Sequence, residues 1–349
     1  MDRSPEDHAM RLAGCALLLA LALSATTADA QTPLHGLADA IPAGFDGPVH
    51  LADLAAIRRE NTRIWPDLSE QDLRSTAFFV LRMPGAADLG LIPMLSPEFE
   101  TQMGFPLTAI EAMAGWKGRT DAGPDAFSVM LGGGDLTRSY RIADALWRRG
   151  YYTEVIGRKR IRRSVKPGVT VWSRGRDFQT DRDHAAEDVF SGSAGQSTRI
   201  AIIGDALWVT HGWPAMMRAI GARTPLVDDP SVAAMLEVMA ARRDWGSPVQ
   251  MTLLGAQPDR EDILARLRAD AKMSLAEIDA LIRKFASESP GLQSPPLPAF
   301  SNHAIAQWRD GARIVGALLI PYRTAAEAED AVARFGPLLG TIRSFVVKK

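Results

Sequence analysis

The chain has 349 residues, 40 Lys or Arg against 41 Asp or Glu, and one cysteine. A net charge of −1 supplies no global field to draw in nucleic acid or an anionic membrane, and one cysteine allows no internal disulfide. The length suffices for one large domain or two modest ones, each with a core of its own.

The first thirty residues read as an export signal. Arg11 gives a basic start, Ala13 to Ala25 form an apolar stretch, and "ADAQ" places small residues before a cut after Ala30. That stretch is too short to cross a bilayer, which takes about 20 residues. Met10 makes a better start than Met1, because "MDRSPEDHA" adds nothing to the signal. "LAGC" at 12–15 has the form of a lipoprotein cleavage box, yet such a box should follow the apolar stretch and this one precedes it. Cys15 is therefore expected to leave with the signal and not to carry lipid. Cleavage removes two basic and four acidic residues and leaves 38 against 37. The expectation is a soluble periplasmic or secreted chain, without cysteine and held by its core alone.

Residues 31–50 are rich in Pro, Gly and Asp and read as an irregular lead-in. "HLADLAAIRRENTRI" (50–64) puts Leu51, Leu54, Ile57 and Ile64 near one helical face, and "STAFFVLRMPG" (75–85) reads as a strand. "LTAIEAMAGWKG" (107–118) has Leu107, Ile110, Met113 and Ala114 at helical spacing and stops at glycine, which predicts a helix. "AFSVML" (126–131) predicts a strand. In the helix after it Leu136, Tyr140, Ala143, Leu146 and Trp147 make the apolar stripe, with Asp135 as N-cap and Gly150 as its end.

Strands follow at 151–157 and 168–173, then a hairpin at 198–212 turning on Gly204-Asp205, then a helix at 213–221 with Pro214 in its first turn. "VAAMLEVMAARR" carries Met235 and Met239 one turn apart. A strand at 248–256 leads to two helices, the second opened by a Ser274–Glu277 capping box. The Pro-rich segment 287–300, a hairpin turning on Asp310-Gly311 and a final helix complete the chain.

Strand, turn, helix, insertion, hairpin and helix thus occur twice in order, in 126–223 and again in 224–349, with 31–125 packing on the first set. The fold class expected is α/β to α+β: two similar modules of small mixed sheets, each with helices on one face.

No complete catalytic motif is present. "LGGGDLT" lacks the Lys and the glycine spacing of a P-loop, and Thr137 stands where a dinucleotide fingerprint needs its third glycine. Asp135 would also put a carboxylate where a phosphate must sit. Gly132 to Gly134 are therefore read as a bend, and no cofactor is expected.

"GRKRIRRSVKPGVTVWSRGRD" (157–177) gathers Arg158, Lys159, Arg160, Arg162 and Arg163 near Trp172. Export argues against nucleic acid, so an anionic envelope component is the functional alternative to a solvated hairpin facing the acidic loop after it. That loop holds Asp181, Asp183, His184, Glu187 and Asp188, oxygen and imidazole donors that could hold a cation but match neither an EF-hand nor a zincin.

"SGSAG" approaches the G-x-S-x-G elbow with Ser193 as its centre, and His184 or His211 could serve as its base. Met216, Met217, Met235, Met239 and Met251 read as gap-filling core residues and not as metal ligands. No motif names a family. Two functions remain in view: an exported non-enzymatic envelope protein that binds a ligand or a protein partner, and an exported hydrolase built from dispersed Ser, His and carboxylate groups.

Overall fold

In the central strands apolar residues fall on both alternating faces, so both sides of a sheet must be covered. β1 (Val49–Asp53) is buried at all of its positions, and so is Ala206–Thr210. A computed structural model describes residues 32–45, 47–64, 99–120, 123–133, 136, 139–156, 169–177, 179–181, 190, 195–221, 224–255 and 302–334. Two compact units divide the chain, 27–254 with 304–316, and 1–26 with 255–303 and 317–349.

The strands after β1 are β2 (Ile110–Thr120), β3 (Gly123–Gly132), β4 (Tyr152–Ile156), β5 (Val169–Arg174), β6 (Thr198–Ile203), β7 (Ala206–Thr210), β8 (Ser247–Gly255), β9 (His303–Asp310) and β10 (Arg313–Leu319). They form one ten-stranded sheet in the order β10-β9-β8-β1-β2-β3-β7-β6-β5-β4. The fold is thus mixed α+β, with one large antiparallel sheet where two small mixed ones were expected. Near the middle of that sheet, β1 pairs antiparallel with β2 on one side and with β8 on the other.

Helices cover both faces of the larger unit, which corrects the one-sided expectation. Helix α1 (Pro33–Ala40) lies over β1, β2 and β3, and α5 (Trp213–Ile220) over β3, β6 and β7. They share the face on which Phe127, Val129 and Leu131 alternate along β3. The other face carries Met113, Met130, Ile200 and Leu207, which join one core with residues of α2 (Leu54–Ile64), α3 (Phe99–Met103) and α4 (Ser139–Arg148). A further helix, α6 (Pro230–Ala241), buries Met235 and Met239, and Met239 O accepts the Trp308 indole N–H at 3.1 Å. On the α1 face an aromatic row forms, with Trp116, Phe127 and Trp208 in successive contact.

Several sequence expectations change. Residues 31–50 are not an irregular lead-in, because α1 lies within them, capped by Thr32 Oγ1, which accepts the His35 N–H. The segment 50–64 divides into β1 and α2. The helix expected at 107–118 is a short 3-10 turn followed by β2. Its residues are small enough to satisfy either period, and pairing with β1 and β3 on both sides decides for the strand.

In α4 the buried residues are Ile142, Ala145 and Leu146, while Tyr140 and Trp147 are each 64% exposed, so the expected stripe is rotated. Gly150, at φ 76°, ends that helix as expected. The strand expected at 75–85, the helices at 257–286, the segment 287–300 and the Asp135 cap lie outside the described residues.

Within the smaller unit, 325–334 is helical and opens on a reciprocal cap: Thr324 Oγ1 accepts the Glu327 N–H while the Glu327 carboxylate accepts the Thr324 N–H.

Candidate functional site

Small residues make room on the α1 face. α1 crosses β3 at Gly36, where a Cβ would stand 3.3 Å from Leu131 Cδ1. Where α1 and α5 end, the chain beyond each is tied to the other. Ala43 N–H donates to Thr224 O at 2.9 Å, and Leu226 N–H donates to Ile41 O at 2.7 Å. Between these ends and the β6–β7 turn lies a cleft of about 670 Å³, within the range that holds small ligands.

Its apolar wall is Leu131, Ile203, Ala206, Trp208 and Ile220, and Pro42 and Pro225 close one side. Those two prolines face each other in an isolated antiparallel bridge outside the strands. Gly36, Ala40, Ala219 and Gly221 line it without filling it. Its polar side chains are Asp39, in the last turn of α1, and Asp205, in the β6–β7 turn; both are exposed to solvent.

The other end of α5 explains why the helix holds its place. Its N-cap position is Gly212, which has no side chain to cap with. Two distant carboxylates replace it. Asp125 Oδ1 accepts the Gly212 N–H at 2.9 Å and its Oδ2 accepts the Ala215 N–H at 3.0 Å. Asp177 Oδ2 accepts the Trp213 N–H at 3.0 Å, and its Oδ1 pairs with the buried Arg199 at 2.8 Å. The Arg199 guanidinium also donates to the carbonyls of Arg174, Gly175 and Thr198. Burial raises the Asp125 carboxyl above its ordinary value, against the lowering effect of the N–H donors and of His211.

His211 adjoins this network and acts on Asp125. Its Nδ1 meets Ser197 O at 3.1 Å, while the Ser197 hydroxyl donates to His211 O at 2.7 Å. The serine proton thus goes to a main-chain carbonyl and not to the imidazole. The pair clasps two backbone segments.

Of the other sequence candidates, Asp181 is exposed and its backbone N–H donates to Gly195 O at 2.7 Å. Asp183, His184, Glu187, Asp188 and Ser193 lie outside the described residues, as do Arg158, Lys159, Arg160, Arg162 and Arg163. Trp172 is 5% exposed and packs in the core, so it offers no stacking surface beside those basic residues. Met216, Met235, Met239 and Met251 are buried as core residues. At Gly132 a Cβ would stand 2.0 Å from Ala109 O, so close backbone approach requires the glycine.

Asp39, Asp125, Asp177, Arg199 and Asp205 were not singled out as site residues from the sequence. Asp205 was visible there only as a turn residue, and the others sit in no recognisable motif. No protein-family model, curated protein or solved structure matches this chain.

Proposed function

We propose that the protein is an exported, non-enzymatic binding protein of the periplasm or envelope, with the α1–α5 cleft as its ligand site. The observation that carries this reading is the cleft itself, about 670 Å³ of space with an apolar wall and two carboxylates at its rim. Export rests on the sequence of residues 1–30. The network at the start of α5 supports a binding role, because there the Ser197 hydroxyl and the His211 imidazole each meet a backbone carbonyl. The repeated order of strand, turn, helix, hairpin and helix belongs to the same proposal, as two modules whose strands share one sheet.

Thermal unfolding tests the binding reading. With small amines, alcohols and carboxylic acids added singly at millimolar concentration, at least one class should raise Tm in the wild type and not in Ala219→Trp, which fills the cleft. If no class shifts the wild-type Tm, the cleft is not a ligand site. For export, residues 1–30 fused to alkaline phosphatase should deliver active enzyme to the periplasm. Retention of the fusion in the cytoplasm refutes that part.

A further inference from the structure

Resting on the cleft as ligand site, the geometry points to a ligand class: a small protonated amine carrying an apolar chain. Among the described lining residues the charged side chains are Asp39 and Asp205, and both are acidic. They come from different elements, the last turn of α1 and the β6–β7 turn, and both border the same space.

The backbone adds the same sign. α1 ends at Ala40 and α5 at Ile220, and both terminal residues line the cleft. Helix C-termini carry partial negative charge, which favours a cation near the last turn. Arg218, on α5, is not among the lining residues: it donates to Gly44 O at 2.8 Å and stacks over Phe45 at 4.8 Å. Among the described residues, an anion placed here would meet two carboxylates and the negative ends of two helix dipoles. A neutral molecule would use the wall and leave the rim unused. An ammonium group at the rim, with its chain against Leu131, Ile203 and Ile220, uses both.

Calorimetric titrations with hexylammonium, hexanol and hexanoate at pH 7 separate the possibilities, because the three share a chain and differ in charge. Hexylammonium should bind about three- to tenfold more tightly than hexanol, and hexanoate more weakly than either. The margin should shrink at 1 M salt. The double variant Asp39→Asn, Asp205→Asn should bring hexylammonium down to the affinity of hexanol, while unchanged hexanol binding shows that the cleft is intact. Equal binding of the amine and the alcohol by the wild type, or an amine preference that survives the double variant, overturns the charge inference and leaves the cleft reading standing. Failure of all three probes overturns both.

Discussion

The Asp125 carboxylate accepts the Ala215 N–H at 3.0 Å, so a residue near the start of a central strand caps a helix far along the chain. With Asp177 holding Trp213, three N–H groups at the start of α5 are met by side chains from elsewhere. The helix is positioned at its N-terminus, and its C-terminus forms one wall of the cleft. Asp125→Ala leaves buried donors unmatched and should cost about 2–4 kcal/mol by urea unfolding. A loss below 0.5 kcal/mol, the range of ordinary surface changes, would contradict the capping role.

Asp125 and Glu60 should show opposite pH dependences. Burial raises Asp125, so its native form holds a proton more tightly than the unfolded chain does. Its stabilising contribution is present below pH 3.8 and is lost as pH rises through the native value. The advantage of wild type over Asp125→Asn should therefore narrow as pH increases across that window.

Glu60 is buried too, but the Gly311 N–H at 2.8 Å, the Ser247 hydroxyl at 3.0 Å and Arg63 at 2.8 Å outweigh burial and lower its carboxyl. Its contribution is present above pH 4.5 and is lost as pH falls through the lowered native value. Stability of wild type relative to Glu60→Gln, about 1–3 kcal/mol at pH 7, should shrink on acidification. Parallel trends for the two variants would show that one of these environments is wrongly assigned.

Two adjacent glycines distinguish close approach from mere flexibility. Gly132→Ala would drive a Cβ into Ala109 O and should destabilise by about 1–3 kcal/mol. Gly133→Ala meets nothing nearer than Glu111 Oε1 at 3.7 Å and should stay within about 0.5 kcal/mol of wild type. Equal effects in a denaturant titration would remove the geometric explanation for Gly132.

Helix α4 offers a similar contrast. Leu146→Ala opens a cavity in the core and should cost about 2–5 kcal/mol. Trp147→Ala removes a side chain that is 64% exposed and should change stability by less than about 1 kcal/mol. A cost for Trp147→Ala as large as that for Leu146→Ala would restore the stripe expected from the sequence.

What the sequence revealed depended on how local the controlling interaction was. The β6–β7 hairpin follows from two apolar runs around Gly204-Asp205, and Gly204 adopts φ 62° as that turn requires. α5 was readable from Pro214 and its apolar run. β2 was not, because Ala112, Met113, Ala114 and Gly115 suit a helix as readily as a strand and only pairing on two sides decides. α1 carries a local signal, since Thr32 followed by Pro33 is an N-cap before a proline in the first turn. The candidate site was out of reach, since Asp39 and Asp205 belong to separate elements that meet only across the folded sheet. Asp125 is equally opaque, because its partners lie far away in sequence.

The most direct test of the cleft as ligand site is a ¹⁵N–¹H correlation spectrum of the folded protein titrated with hexylammonium chloride. Saturable shifts are expected to cluster at the amides of Gly36, Asp39, Gly204, Asp205, Ala219 and Gly221, which border the cleft. Shifts that gather elsewhere, or none at concentrations that saturate small-molecule sites, would contradict it.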